Sequence, residues 1–319
     1  MAEAGQAASK NADPENAGPR DDPAAGARST AGVPARLGVR KTYKLYIGGA
    51  FPRSESGRSY VVSDAKGAFV ANAARASRKD VRDAVVAARK AFAGWSARTA
   101  YNRGQILYRI AEMLEGRRSQ FADELMLTQG VGRAKAEAAV DAVVDRWVWY
   151  AGWADKIGQV VGSANPVAGP FFNLSSPEAT GVVGVLAPQR APLLGLVSVL
   201  APVIVTGNAC VVVTSEQHPL PAVTLAEVLA TSDLPGGVVN VLTGHTAELA
   251  PWLASHMDVQ AIDLTGADQD SVPELERAAA ENLKRILRPT PDEDWTADPG
   301  LHRMTAFLET KTVWHPIGV

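Results

Sequence analysis

The chain has 319 residues with 32 basic and 34 acidic side chains, and its net charge of −2 gives no reason to expect a nucleic acid or an acidic membrane surface as partner. Its one cysteine, Cys210, excludes an intramolecular disulfide and a cysteine-based metal site, and it is typical of a reducing, cytoplasmic compartment. No isolated run reaches the roughly 18 apolar residues that would predict a membrane-spanning helix.

The N-terminal part of the sequence changes character near residue 41. Residues 1–40 are rich in Ala, Gly, Pro, Asp and Asn and have almost no large apolar side chains, which predicts a disordered tail. Short strands are then expected at 45–47, Ser59–Ser63 and 69–71. Helices follow, and apolar residues at helical spacing predict them at 78–94, 103–114, 119–127 and 133–156. We expect these helices to form one layer ahead of the next unit.

Four short, Val-rich runs alternate with helical patterns between residues 181 and 266. The runs are Val182–Leu186, Ala209–Val213, 238–242 and 259–264, and the helical segments are 192–205, 219–231 and 246–256. Uninterrupted apolar runs indicate strands buried on both faces, and the alternation predicts β-α-β crossovers in a parallel sheet. The carboxyl ends of such strands form one crevice, where nucleotides bind in open α/β sheets.

A set of collinear motifs over residues 44–288 is similar to the NAD(P)-dependent aldehyde dehydrogenase superfamily. The motifs are Leu45-Tyr46-Ile47-Gly48-Gly49, Tyr150-Ala151-Gly152-Trp153-Ala154-Asp155-Lys156, Pro177-Glu178, Ser215-Glu216-Gln217, Leu234-Pro235-Gly236-Gly237 and Asn282-Leu283-Lys284-Arg285. The resemblance implies an α/β fold, with a Rossmann-like open parallel sheet, an N-terminal helical layer and a C-terminal oligomerisation strand. We therefore divide the chain into the tail (1–40), a nucleotide-binding domain (41–289), and a linker with the C-terminal strand (290–319).

The resemblance also implies a cofactor, NAD or NADP, with contacts at Glu216, Gly244 and Gly266. Glu216 corresponds to the family's glutamate that holds the adenosine ribose. The lysine that accompanies it in the family is replaced by Val213, and the serine near the pyrophosphate is replaced by Ala267. The predicted cofactor site is therefore degenerate.

The resemblance supplies no catalytic residue. Gln189 and Arg190 stand where the family has Trp and the Asn that stabilises an oxyanion. The segment that would carry the general-base Glu reads Leu287-Arg288-Pro289-Thr290, and the cysteine-bearing catalytic domain should follow it. Eleven residues, 290–300, stand there instead. The residues that come next, 304–313, resemble the family's C-terminal strand. The chain is therefore interpreted as truncated, with the catalytic domain missing between the general-base segment and this strand.

Two side chains remain as candidates for chemistry. Cys210 lies within an apolar strand, so we expect a small buried hydrophobe rather than a nucleophile. His245 is expected at a strand end in the crevice, where an ordinary loop histidine is favoured over a functional one. The five histidines show no ligand spacing, and no metal site is predicted.

These observations favour a non-catalytic pseudoenzyme subunit that assembles with itself or with a full-length aldehyde dehydrogenase. In the family the last strand pairs with a neighbouring subunit, and we expect this here, with pairing on its own sheet as the alternative. Loss of the catalytic domain should also expose apolar surface that needs a partner. An NAD(P)-dependent oxidoreductase acting on aldehydes, or a nucleotide-sensing module without turnover, are the other hypotheses.

Overall fold

The computed structural model describes residues 41–318, so the predicted tail of residues 1–40 lies outside the part described. In chain order the strands are β1 (Thr42–Tyr43), β2 (Ser59–Ser63), β3 (Phe69–Ala74), β4 (Ser163–Asn165), β5 (Phe171–Ala179), β6 (Val182–Leu186), β7 (Ala209–Val213), β8 (Val239–Leu242), β9 (Ala261–Asp263), β10 (Arg285–Leu287) and β11 (Leu308–Pro316). The helices are α1 (Arg78–Ser96), α2 (Ala100–Glu115), α3 (Arg118–Gln129), α4 (Arg133–Trp153), α5 (Ile157–Val161), α6 (Leu194–Val205), α7 (Leu220–Leu229), α8 (Thr246–Ser255), α9 (Val272–Ala280) and α10 (His302–Thr305). Among these helices none is long and apolar enough to cross a bilayer.

The central element is a five-stranded parallel sheet with the order β10-β9-β6-β7-β8. Every residue of β6, β7, β8 and β9 is buried, which explains their Val-rich composition without polar alternation. The parallel sheet predicted from the four apolar runs is confirmed. The fourth strand, β9, is shorter than the run at 259–264 that predicted it.

Alternate residues of the strands pack into two separate cores. Val182, Leu186 and Val211 face a core formed with α1, α8 and α9, whereas Val183 and Val212 face a core formed with α2, α3, α4, α6 and α7. Helices α2 to α4 pack together as the expected N-terminal helical layer, outside α6 and α7 on one face of the sheet. Helix α1 lies apart from them and covers the other face, where its apolar side packs on β7 and β8.

A capping box fixes the start of α1. The Ser77 hydroxyl accepts a bond from the Asp80 amide, and the Asp80 carboxylate accepts one from the Ser77 amide at 2.7 Å.

The predicted strand at 45–47 is wrong in part. Tyr46 exchanges two backbone hydrogen bonds with Val241, and Ile47 pairs with Ala50 across the turn at Gly48 and Gly49, so residues 45–47 make isolated bridges rather than a strand.

The C-terminal strand folds back onto its own chain. Strand β11 pairs antiparallel with β5 from Leu308 opposite Ala179 to Pro316 opposite Phe171, in a three-stranded sheet of order β11-β5-β4. Pairing on its own chain, the alternative, is therefore observed, and because β11 is the edge strand of this sheet, pairing of its other edge with a neighbouring subunit stays a prediction. The alternative holds because the nine residues of β11 find a complete partner in the nine residues of β5.

The segment 288–303 closes one side of the core between α4 and α6. Trp295 and Leu301 pack against the core shared by α4 and α6, and Arg146 donates to the carbonyl oxygens of Trp295 at 2.7 Å and Ala297 at 3.0 Å. A segment without regular structure can thus supply an aromatic side chain and paired backbone groups that close an apolar surface, and the expectation of apolar surface exposed by loss of a catalytic domain stays a prediction.

Candidate functional site

A crevice lies at the carboxyl ends of β6, β7, β8 and β9, where the parallel sheet predicts one. Its volume is about 660 Å³, within the range of small-molecule sites. It is lined by side chains from the loops after the four strands and from α8 and α9: Gln189, Arg190, Glu216, Gln217, His218, Thr246, Ala247, Ala250, Pro251, Gly266, Ala267, Asp268, Ser271, Glu274 and Leu275. Of the three predicted cofactor residues, Glu216 and Gly266 line this crevice.

Glu216 is held by the start of helix α8. One carboxylate oxygen accepts a hydrogen bond from the amide of Thr246, the first residue of the helix, and the other lies 3.3 Å from Nδ1 of His245. A carboxylate at a helix N-terminus is stabilised by the free N–H groups and by the helix dipole. The glutamate expected to bind ribose is thus already bonded to the protein, with lone pairs left for other donors.

Gln189 connects two of the strand-end loops. Its side-chain oxygen accepts from the amide of Glu216 at 2.9 Å, and its side-chain nitrogen donates to the carbonyl of Ala187 at 3.0 Å. The hydroxyl of Ser215 donates to the Gln189 carbonyl at 2.9 Å. This side chain therefore acts as a brace between the loops after β6 and β7.

The two glycines have different structural roles. Gly266 allows the loop after β9 to contact the end of β6, since a Cβ there would lie 1.9 Å from the carbonyl oxygen of Ala187. Gly244 follows β8 with φ of +146°, which favours glycine, and it does not line the crevice. Gly244 positions the start of the loop to α8, and sequence reasoning had no means of separating this role from contact with a ligand.

A second cavity of about 450 Å³ shares Glu216, Gln217 and His218 with the crevice and extends toward β2 and α3. Tyr60 contributes a buried hydroxyl that has no hydrogen-bond partner among the described residues, and its ring centre lies 5.6 Å from that of His245. Burial raises the pKa of Tyr60, so its hydroxyl stays protonated. The sequence did not identify Tyr60 as a site residue, because it lies in a strand far from the motifs.

Cys210 lies in the middle of the sheet rather than in the crevice. Its side chain is fully buried on β7, next to Val183 on β6 and Val239 on β8, and burial raises the pKa of its thiol. A reactive cysteine needs a stabilised thiolate and access to substrate, and Cys210 has neither. The expectation of a small buried hydrophobe is confirmed.

The sequence profile of the aldehyde dehydrogenase family matches residues 51–288. The chain belongs to this family. It is 34% identical over 248 residues to aldehyde dehydrogenase, cytosolic 1 of Elephantulus edwardii, an alignment that covers 76% of this chain and 49% of that protein. It is 33% identical over 251 residues to human retinal dehydrogenase 2, with 77% of this chain and 48% of that protein covered.

Solved aldehyde dehydrogenase structures share the fold. The chain superposes on HpcC from Thermus thermophilus with a TM-score of 0.72 and 30% identity, covering 77% of this chain and 47% of that one. An aldehyde dehydrogenase from Bacillus cereus in complex with NAD+ gives a TM-score of 0.73 at 27% identity, covering 77% and 50%. The chain spans about half the length of the relatives that it matches.

The crevice fits only part of the cofactor that the family implies. Space and a carboxylate remain at the end where the family holds the adenosine ribose. The contacts that would hold the rest are changed, because Val213 is a buried aliphatic side chain, Ala267 has no hydroxyl, and Gln189 is fully engaged with the protein. These residues do not form a complete dinucleotide site, and we derive no redox step from them.

Proposed function

We propose that this chain is a non-catalytic member of the aldehyde dehydrogenase family, a pseudoenzyme that assembles with itself or with a full-length aldehyde dehydrogenase. The observation that carries the proposal is the position of Cys210, which is the one thiol of the sequence and is buried inside the parallel sheet. Oxidation of an aldehyde through a thiohemiacetal requires attack by an exposed thiolate. A cytosolic location belongs to the same proposal, supported by the similarity to a relative named cytosolic.

The proposed assembly surface is the outward face of the β11-β5-β4 sheet. Leu174 on β5 lies directly opposite Val313 on β11, and the two side chains are 51% and 49% exposed. Phe172 on the same face is 56% exposed. A group of exposed apolar side chains on a sheet whose edge strand is β11 is typical of a surface that another chain covers.

Light scattering during size-exclusion chromatography, at micromolar concentration, tests assembly. We expect the wild-type chain to elute as an oligomer, and L174D and V313D to dissociate it, because each places an unpaired charge in an apolar contact. T310D is the matched control, since Thr310 is exposed on the opposite face of β11. A wild-type chain that is strictly monomeric, and that captures no aldehyde dehydrogenase from its own cell, would contradict the assembly proposal.

A nucleotide-sensing module is the second candidate, and the open crevice of about 660 Å³ favours it. NAD or NADP binding without turnover would fit this candidate. An NAD(P)-dependent oxidoreductase is a weaker alternative, because its nucleophile has to be found among side chains other than a thiol. Titration of the purified chain with either dinucleotide separates sensing from the absence of binding.

A further inference from the structure

A groove lies on the surface between helices α2 and α4. It consists of two cavities of about 580 and 520 Å³ that share Gln105, Arg109 and Asp233, and neither cavity has a lining residue in common with the crevice. We propose that this α2/α4 groove binds a neutral oligosaccharide, whose sugar rings pack on Tyr101 and Tyr108. The inference goes beyond the assembly proposal, and neither depends on the other.

Two exposed tyrosines of α2 line the first cavity. Tyr101 is 67% exposed and Tyr108 is 51% exposed. Because they are seven residues apart, they lie on the same side of the helix, about 10 Å apart along its axis. A pyranose ring has an apolar face of C–H groups that packs against an aromatic ring. Two exposed aromatic rings along one helix can therefore hold sugar units of one chain.

Two glycines determine the space between the helices. A Cβ at Gly104 would lie 3.0 Å from the carbonyl oxygen of Ala151, so the backbones of α2 and α4 are in close contact there. A Cβ at Gly152 would have no other atom within 4 Å, and Gly152 lines the first cavity. A larger side chain at residue 152 would therefore enter the groove rather than the protein core.

The charges of the groove compensate one another. Three basic and three acidic side chains line the two cavities: Arg98, Arg109, Lys156, Glu112, Asp155 and Asp233. Arg109 pairs with Glu112 at 2.9 Å, and Lys156 pairs with Asp155 at 3.2 Å. A lining without excess charge favours a neutral ligand over a nucleotide or a charged peptide, because neither sign of charge is complemented.

Unpaired hydrogen-bonding groups lie beside these ion pairs. The Gln105 amide and the Asp233 carboxylate line both cavities and have no hydrogen bond or ion pair with another described residue. An amide donates and accepts and a carboxylate accepts, and sugar hydroxyls can pair with both groups.

The composition of the groove also favours a sugar over a protein. Val148 is the one large aliphatic side chain among the described residues that line the first cavity. The buried centre of a protein interface is more apolar than this lining. Exposed aromatic rings surrounded by polar side chains instead fit a ligand with apolar ring faces and many hydroxyl groups.

Isothermal titration calorimetry of the full chain with maltohexaose, cellohexaose and xylohexaose tests this inference, with hexagalacturonate as the acidic comparator. At least one neutral hexasaccharide should bind at submillimolar concentration, and more tightly than hexagalacturonate. Y101A and Y108A should each weaken that binding about fivefold or more, whereas Y101F should retain it because the ring is kept. G152L should prevent binding without loss of thermal stability, since leucine is a better helix former than glycine.

The matched control is F172A, which removes an exposed aromatic side chain outside the groove and should bind the sugar like the wild type. Light scattering on the same samples reports assembly, so failure of the assembly proposal is distinguishable from failure of this one. No binding of any neutral hexasaccharide at millimolar concentration, unchanged affinity in both Y101A and Y108A, or tighter binding of hexagalacturonate would each overturn the inference. Dissociation of an oligomer by Y101A, without sugar binding by the wild type, would also overturn it and identify the groove as a protein interface.

Discussion

The guanidinium of Arg303 lies 3.0 Å from the carboxylate of Asp263, and both side chains are almost completely buried, with 3% and 1% exposed. Arg303 comes from α10, near the C-terminal end of the described residues, and Asp263 ends strand β9. The same guanidinium also bonds Glu293 at 2.6 Å and Thr265 at 3.2 Å. This network joins the segment 288–303 to the parallel sheet.

Replacing Arg303 by methionine should lower the free energy of unfolding by about 3–5 kcal/mol, because it leaves Asp263 charged and buried without a partner. Chemical denaturation at pH 7 measures the change. Burial raises the pKa of Asp263, so protonation at lower pH should relieve part of the loss, and the difference from wild type should shrink as the pH falls. R288M is the control, since Arg288 pairs with Glu276 on the surface, where an ion pair contributes little, so R288M should unfold almost like the wild type. Equal losses in R303M and R288M would contradict this account of the network.

The double variant R303M/D263A separates the buried charge from the lost packing. Removing both partners should restore part of the stability lost in R303M, because the uncompensated carboxylate is gone. A double variant that is less stable than R303M by the full effect of D263A would show that the two side chains do not interact.

Gly266→Ala should destabilise the chain by several kcal/mol or prevent folding, since its Cβ would overlap the carbonyl oxygen of Ala187. Gly94→Ala is the matched substitution. Gly94 lies within α1 in open space, so alanine should stabilise the helix by about 0.5–1 kcal/mol. Thermal unfolding of the two variants should therefore move in opposite directions, and a shift in the same direction would be inconsistent with the close contact at Gly266.

Lys284 should make stability depend on pH in the mildly alkaline range. Burial lowers the pKa of this lysine to about 8, whereas an exposed lysine has a pKa of about 10.4. Between these values the unfolded chain binds more protons than the folded chain, so this group makes stability rise with pH, by on the order of 1–3 kcal/mol.

The measurement is the difference in free energy of unfolding between wild type and K284Q at about pH 7.5, below that window, and at about pH 9.5, within it. Cys210 acts in the opposite direction, since burial raises its pKa and only the unfolded thiol ionises, but it is present in both proteins. We expect the stability of wild type relative to K284Q to increase at the higher pH. A difference that is independent of pH would refute the assignment.

The sequence predicted the parallel sheet because a strand that is buried on both faces is an uninterrupted apolar run. Such a run can be recognised without knowing which strands lie beside it. The runs Val182–Leu186 and Ala209–Val213 have the bounds observed in the structure. The partner of β11 could not be predicted, since most of its residues are exposed and its pattern indicates a strand without specifying which edge it joins. Trp295 provided no signal at all, because it lies in a segment without periodicity.

The candidate site was predicted in position but not in its bonding. Parallel strands place Glu216 and Gly266 at one crevice by topology alone. The Glu216 carboxylate accepts a bond from the Thr246 amide, and the Glu216 amide donates one to the Gln189 side chain. Both bonds depend on the conformations of loops, which local sequence does not determine.

The central claim, that this family member does not perform thiol-dependent aldehyde oxidation, is tested most directly by intact-protein mass spectrometry combined with a reduced-cofactor assay. The purified chain is incubated with a short aldehyde and NAD+ or NADP+, beside a C210S variant. We expect no reduced cofactor above the C210S background and no acyl adduct on the chain. Turnover that is lost in C210S, with an acyl thioester mapped to Cys210, would contradict the account.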